Sequence, residues 1–359
     1  MTARFDPMRN APGDIHDRRS CCLAQAIRDV HHPSRTLASM IEFGRKTLWI
    51  VAACGLLLMH LGLNVTGLHL DWTSVSTGLV VNAFAFLASL FHDRARVDFV
   101  RKLIDMLEGL SLFGLVGLIG GIGSYIVAAR TSGYVDEWLL AADRLLGFDW
   151  LALHARVPPE GWFTLMSRVA YDSLLTTPIF LLTGLAWLGH QPRARAFVAA
   201  TAVALALTLS IFAWLPAMSA VPYLLGAHPA HLPASGTQHV AITAALREGS
   251  LTMIDAGKLT GLITFPSFHA AAGVLFTWAA WPMRRLRWPV LALDIMMLLA
   301  TPLEGSHYLI DLIGGIAVAL IGIGTVCWPA LLAALRNLSS ARTGSLPANG
   351  RAGDVFANS

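Results

Sequence analysis

Apolar stretches of about 20 residues, recurring along most of the chain, constrain this sequence more than any other feature. Each is long enough for a helix to cross the ~30 Å hydrocarbon layer of a bilayer. They run near 48–64, 75–91, 110–129, 164–189, 197–215, 266–282, 289–306 and 308–332. About eight crossings predict an all-α, polytopic membrane helix bundle, because a helix satisfies its own backbone hydrogen bonds in lipid. Composition agrees. Only 13% of the 359 residues are charged and the mean hydropathy is +0.60, whereas a soluble domain carries roughly 25% charged residues.

The charges orient the bundle. The first forty residues are arginine-rich without an early apolar core, so they do not read as a cleaved signal peptide. Arg45 and Lys46 stand directly before the first span. With the N-terminus in the cytoplasm, 20 of the 26 Lys and Arg fall in inner segments, five in outer ones, and Arg168 within a span. That bias follows the positive-inside rule. It predicts a cytoplasmic-membrane protein with both termini inside and outer segments at 65–74, 130–163 and 216–264. The net charge of +4 then reports orientation, and no nucleic-acid partner is expected.

Four regions follow: a cytoplasmic tail (1–46), two N-terminal spans with a basic inner segment (47–109), a six-helix core domain (110–335) and a tail (336–359) that composition marks as disordered. Residues 92–109 read as a basic amphipathic stretch lying on anionic headgroups. Cys54 and Cys327 lie in spans, and Cys21 and Cys22 are adjacent in the N-terminal tail. No disulfide framework is implied.

Two histidines fall at the outer ends of spans. In Phe265-Pro266-Ser267-Phe268-His269, Pro266 suits a first helical turn, with Thr264 or Phe265 at the cap. His269 then lies where backbone N–H groups are unpaired and the helix dipole is positive. In Glu304-Gly305-Ser306-His307-Tyr308-Leu309-Ile310-Asp311, Ser306 is placed to cap a helix that His307 starts. Counting 1.5 Å per residue down one span and up the next brings both histidines to one depth.

Asp311 follows His307 by four residues, on the same helical face. A buried acid one turn from a histidine orients the ring and enriches it in electrons, as a nucleophile requires. Ionisable groups inside a membrane are costly and face a partner or a wet cavity. Two helix N-termini meeting at the outer surface form an anion site from backbone alone, and a lipid phosphate is the anion available at that depth. His307 Nε2 can attack its phosphorus, with Asp311 on Nδ1, while His269 protonates the departing oxygen.

These residues resemble a known family. Pro266-Ser267-Phe268-His269 and His307-Tyr308-x-x-Asp311, with Gly314-Gly315 behind, are similar to the type 2 phosphatidic acid phosphatase (PAP2) superfamily, within it the inositol-phosphorylceramide synthase-like branch. The resemblance spans about 110–330 and is strongest over 261–316. It implies a six-helix PAP2-like core, His307 as phosphate nucleophile, Asp311 as its orienter, His269 as the acid, and no metal or cofactor. The outer segment Asp143 to Trp150 also looks like that branch. Two usual cationic clamps are missing: no Lys-x6-Arg-Pro occurs, and Thr301 stands where an arginine is usual. This departure favours the transferase-like relatives.

Arg168 and Lys258 are therefore the expected phosphate-clamping cations, with Ser267 and Tyr171 completing the substrate-binding set. Arg168 has Asp172 one turn away as an alternative ion-pair partner, Tyr171 lines the site or packs, and Ser267 caps the helix or donates to phosphate. No G-x-S-x-G surrounds Ser267, which argues against a serine hydrolase. His228, His231 and His239 share the long outer loop, but their spacing matches no closed zinc site. Asp294 reads as a packing acid.

The function expected is a membrane lipid phosphotransferase or phosphatase working through phosphohistidine at the outer face. Its substrate would be a phospholipid or other lipid phosphate, with a polyol or lipid alcohol as possible acceptor. One alternative is a plain phosphatase using water. Another is a proton-coupled transporter or lipid-binding scaffold, which predicts polar residues and broken helices at the midplane. This chain gathers its polar groups at one face instead.

Overall fold

A computed structural model describes residues 44–157, 161–226 and 237–343. Cys21, Cys22, His228, His231 and the two tails beyond these limits lie outside the described residues. All eight apolar stretches are helical. The chain runs α1 (Arg45–Thr66), β1 (His69–Leu70), α2 (Trp72–Leu90), α3 (Asp98–Ala128), α4 (Asp136–Leu145), α5 (Trp150–His154), α6 (Trp162–Trp187) and α7 (Gln191–Trp214). It continues through α8 (Ala220–Leu225), α9 (Gln238–Glu248), β2 (Met253–Ile254), α10 (Phe268–Ala280), α11 (Arg287–Glu304) and α12 (Leu309–Thr343).

Six of these helices, among the described residues, are long and apolar enough to cross a membrane: α1, α2, α3, α6, α7 and α12. The protein is an all-α polytopic bundle. The expected count of about eight spans is not matched one for one, since α10 and α11 are not among these six. Helix α10 has 13 residues, about 20 Å at 1.5 Å per residue, too short to cross alone. It sits at the centre, packed on α6, α7, α11 and α12. Its backbone and the extended chain before it are therefore shielded by protein, which is where non-helical backbone is tolerated at membrane depth. Helix α11 carries Asp294 mid-length, buried and accepting the Thr277 hydroxyl at 2.6 Å, the packing role expected of it.

Helices α1 and α2 both pack on α3 and present Leu57, Leu58, Val65, Val80 and Phe84 outward, as a lipid-facing surface would. At one end Arg45 joins α1 to α3, with Nε 2.7 Å from Glu108 and Nη2 2.8 Å from Asp105. Trp49 donates to Glu108 at 3.0 Å. The stretch 92–109 is thus not a separate surface helix. From Asp98 it is the first part of α3, and Asp105 and Glu108 are buried against Arg45 because an unpaired buried charge is costly. At the other end His69 and Leu70 pair in parallel with Met253 and Ile254, so segments 65–74 and 216–264 meet.

Candidate active site

His307 and Asp311 keep the one-turn relationship expected, although α12 starts two residues later than the sequence suggested. His307 Nδ1 lies 3.1 Å from Asp311 Oδ2, and the same oxygen accepts the Tyr308 N–H at 3.0 Å. Both side chains are buried, Asp311 completely. Since Asp311 can only accept when ionised, the contact assigns the proton to His307 Nδ1 and leaves Nε2 with its lone pair.

Ser306 does not cap α12 with its side chain. It adopts a positive φ of 59°, and its Oγ accepts the Val221 N–H at 2.7 Å and meets Ser219 Oγ at 3.1 Å. The capping falls to Asp143 of α4, whose two oxygens accept the N–H groups of Leu309 and Ile310 at 2.9 and 2.8 Å. Carboxylates suit that position because helix N-termini carry positive partial charge. Asp136, one heptad earlier on α4, accepts the Tyr308 hydroxyl at 3.0 Å and the N–H groups of Met218 and Ser219 at 2.8 and 3.0 Å. Burial pushes both carboxyl groups above the usual carboxylate range, while the N–H groups they accept pull the other way.

His269 arrives from α10, whose cap is Ser267, one of the two roles expected of that residue, and not Thr264 or Phe265; Ser267 Oγ accepts the Ala270 N–H at 3.4 Å. The Ser267 N–H in turn donates to the Asp311 carbonyl at 2.9 Å, which stitches the two histidine-bearing helix starts together. Gly315 makes this approach possible: a Cβ there would stand 2.1 Å from the Ser267 carbonyl oxygen. The rings of His269 and His307 lie 6.5 Å apart between centroids at 59°. Tyr171 stacks on His269 at 3.9 Å and 14°. Gly305 leaves room for both, since a Cβ there would fall 2.6 Å from His307 Cδ2 and 2.7 Å from the Tyr171 hydroxyl.

His269, His307 and Tyr171 line one cavity of about 290 Å³. Its body is apolar, with Phe113, Val116, Leu174, Leu275 and Phe276 among its walls. Of the other candidates, Ser267, Arg168 and Lys258 are not among the lining residues. Arg168 Nε lies 3.9 Å from Glu304 with the side chain 58% exposed, so its recorded partner is Glu304 and not Asp172. Lys258 is 84% exposed and pairs with Asp255 at 3.0 Å on a 3-10 turn. Among the described residues no group of three or more His, Cys, Asp or Glu is arranged to hold a metal ion.

Sequence reasoning assigned no role to Asp136, and none to Asp143 beyond the resemblance. Their spacing was the available signal: acids seven apart in an outer segment share one helix face, and both are 1% exposed. Trp150, in the same outer segment, is buried and donates to the Pro302 carbonyl at 2.9 Å, tying α5 to the end of α11.

A family model described as the PAP2 superfamily matches residues 137–325. No curated protein and no solved structure matches the chain.

Proposed function

This chain belongs to the PAP2 superfamily, and from that premise we propose that it is a membrane enzyme moving the phosphoryl group of a lipid phosphate through His307. The observation that carries this reading is the buried His307–Asp311 pair opening, together with His269, onto a single cavity. His307 Nε2 attacks phosphorus, a P–N bond forms, and the ester P–O bond breaks. His269 gives its proton to the departing lipid oxygen. Water or an alcohol then attacks the phosphohistidine, His269 takes back the proton, and His307 is released.

An imidazole pair whose apolar cavity continues below the rings suits a substrate with a charged head and a hydrocarbon tail. No Lys or Arg is among the lining residues. The N–H groups at the start of α10 supply positive partial charge there, and Arg168 swings from Glu304 to complete the clamp. The missing cationic signatures support the inositol-phosphorylceramide synthase-like branch, and the concentration of Lys and Arg in the opposite segments supports an outward-facing site with both termini in the cytoplasm.

The test is phosphate release from a panel of lipid phosphates, with and without inositol or glycerol. Wild type releases or transfers phosphate, vanadate inhibits, and His307→Ala is inactive. Transfer without free phosphate assigns the transferase reading, and free phosphate alone the phosphatase one. Full turnover by His307→Ala would overturn the mechanism, and unchanged turnover by Arg168→Ala would remove the clamp.

A further inference from the structure

A third histidine opens onto the same cavity and takes no part in the phosphoryl chemistry. His239, on α9, is 3% exposed and lines the cavity with His269 and His307. Its Nε2 lies 2.6 Å from the Met218 carbonyl oxygen. A carbonyl only accepts, so Nε2 carries the ring proton and Nδ1 keeps a lone pair. Nδ1 makes no hydrogen bond among the described residues, and the ring borders the cavity, so this acceptor is available to a ligand there. The ring is also fixed relative to the nucleophile. Met218 adjoins Ser219, Ser219 Oγ meets Ser306 Oγ at 3.1 Å, and Ser306 precedes His307.

We propose that His239 Nδ1 is a recognition site for a hydroxyl group standing beside the phosphoryl group of the substrate or on a polyol acceptor. This rests on the phosphoryl-transfer reading and adds the substrate feature it selects. Burial holds His239 down to about 4, against the opposing pull of the Met218 carbonyl. It therefore stays neutral through the physiological range, with Nδ1 as an acceptor. An apolar or fully esterified headgroup leaves Nδ1 unpaired; a hydroxyl pairs it.

The probes are 1-octanoyl lysophosphatidic acid, which has a free hydroxyl next to the phosphate ester, and its analogue lacking that hydroxyl. Wild type turns over the hydroxylated probe with a kcat/KM about tenfold higher, the worth of one well-made hydrogen bond, and the difference lies in KM. His239→Gln keeps a donor for Met218 and moves the acceptor from the Nδ1 position to its own Oε1, out of register with the hydroxyl, and the preference collapses. His239→Gln with a lowered kcat and the preference intact would show a structural role and overturn the proposal. Binding of the two probes to the His307→Ala protein gives a readout without turnover: tighter binding of the hydroxylated probe supports hydroxyl recognition on the donor, and equal affinity together with a glycerol KM unchanged in His239→Gln overturns the proposal. A wild type that turns over neither probe while binding discriminates between them sinks the phosphoryl-transfer reading alone. Glycerol added as acceptor to the analogue reaction separates the two sources. A KM for glycerol that rises in His239→Gln places the site on the acceptor; loss of the probe preference places it on the donor.

Discussion

Asp143 accepts the backbone N–H groups of both Leu309 and Ile310, at 2.9 and 2.8 Å, so a carboxylate on the short helix α4 holds the start of the helix that carries Asp311. Removing it leaves two buried N–H groups unpaired next to the reacting pair. Asp143→Ala is expected to cost about 2 kcal/mol of stability and to slow turnover on every substrate. Asp143→Asn, which keeps an acceptor, should lose less of both. Denaturant unfolding in detergent and kcat on one lipid phosphate measure this; an Ala variant as stable as wild type would mean that α12 does not depend on the cap.

The role given to His269 predicts a dependence on the leaving group. A proton donor matters when the departing oxygen is a poor leaving group, as in an alkyl alcohol, and little when it is p-nitrophenolate. His269→Ala should lose about 10²–10⁴-fold on a lipid phosphate and far less on p-nitrophenyl phosphate. Equal losses on both substrates would assign His269 to binding or packing.

Close approach of α10 and α12 requires the absence of a side chain at 315. Gly315→Ala forces a Cβ to 2.1 Å from the Ser267 carbonyl oxygen, whereas at Gly324 a Cβ meets nothing within 4 Å. The first substitution should reduce the yield of folded protein, or separate the histidines enough to abolish turnover. The second should leave both unchanged. Purified yield and activity of the two variants, side by side, decide the matter.

His239 also predicts how stability depends on pH. Its folded value of about 4 lies below the ordinary 6.5 because the buried ring is favoured neutral. Between those values the unfolded chain binds the proton more readily, so stability rises with pH across that window. The contribution is fully present above about 6.5 and is lost as pH falls toward 4. Melting temperature followed from pH 7.5 to 4.5 should decline less steeply in His239→Gln than in wild type. Parallel declines would take His239 out of the acid response.

Much of the site was legible before any coordinates. The i, i+4 relation of His307 and Asp311 is a local property of a helix, and two proline- or serine-led helix starts flanking one hairpin of spans place His269 near them. Local rules failed at the boundaries. Ser306 has the composition of a cap, yet its hydroxyl bonds to Ser219 and Val221, because the packed loop offered better partners than its own helix. Arg168, expected at the phosphate with Asp172 as its local alternative, lies 3.9 Å from Glu304 across a helix contact.

The sequence by itself determined that the chain forms apolar helices of membrane length and which imidazole sits one turn from an acid, because each of these depends on neighbours within a few residues. Only the tertiary structure decided that α10 is a short, fully enclosed helix, that Asp136 and Asp143 reach across more than 160 residues to hold Tyr308, Leu309 and Ile310, and that His239 shares the cavity. Those contacts arise from how helices pack and which buried polar groups must find partners, and no spacing along the chain encodes that.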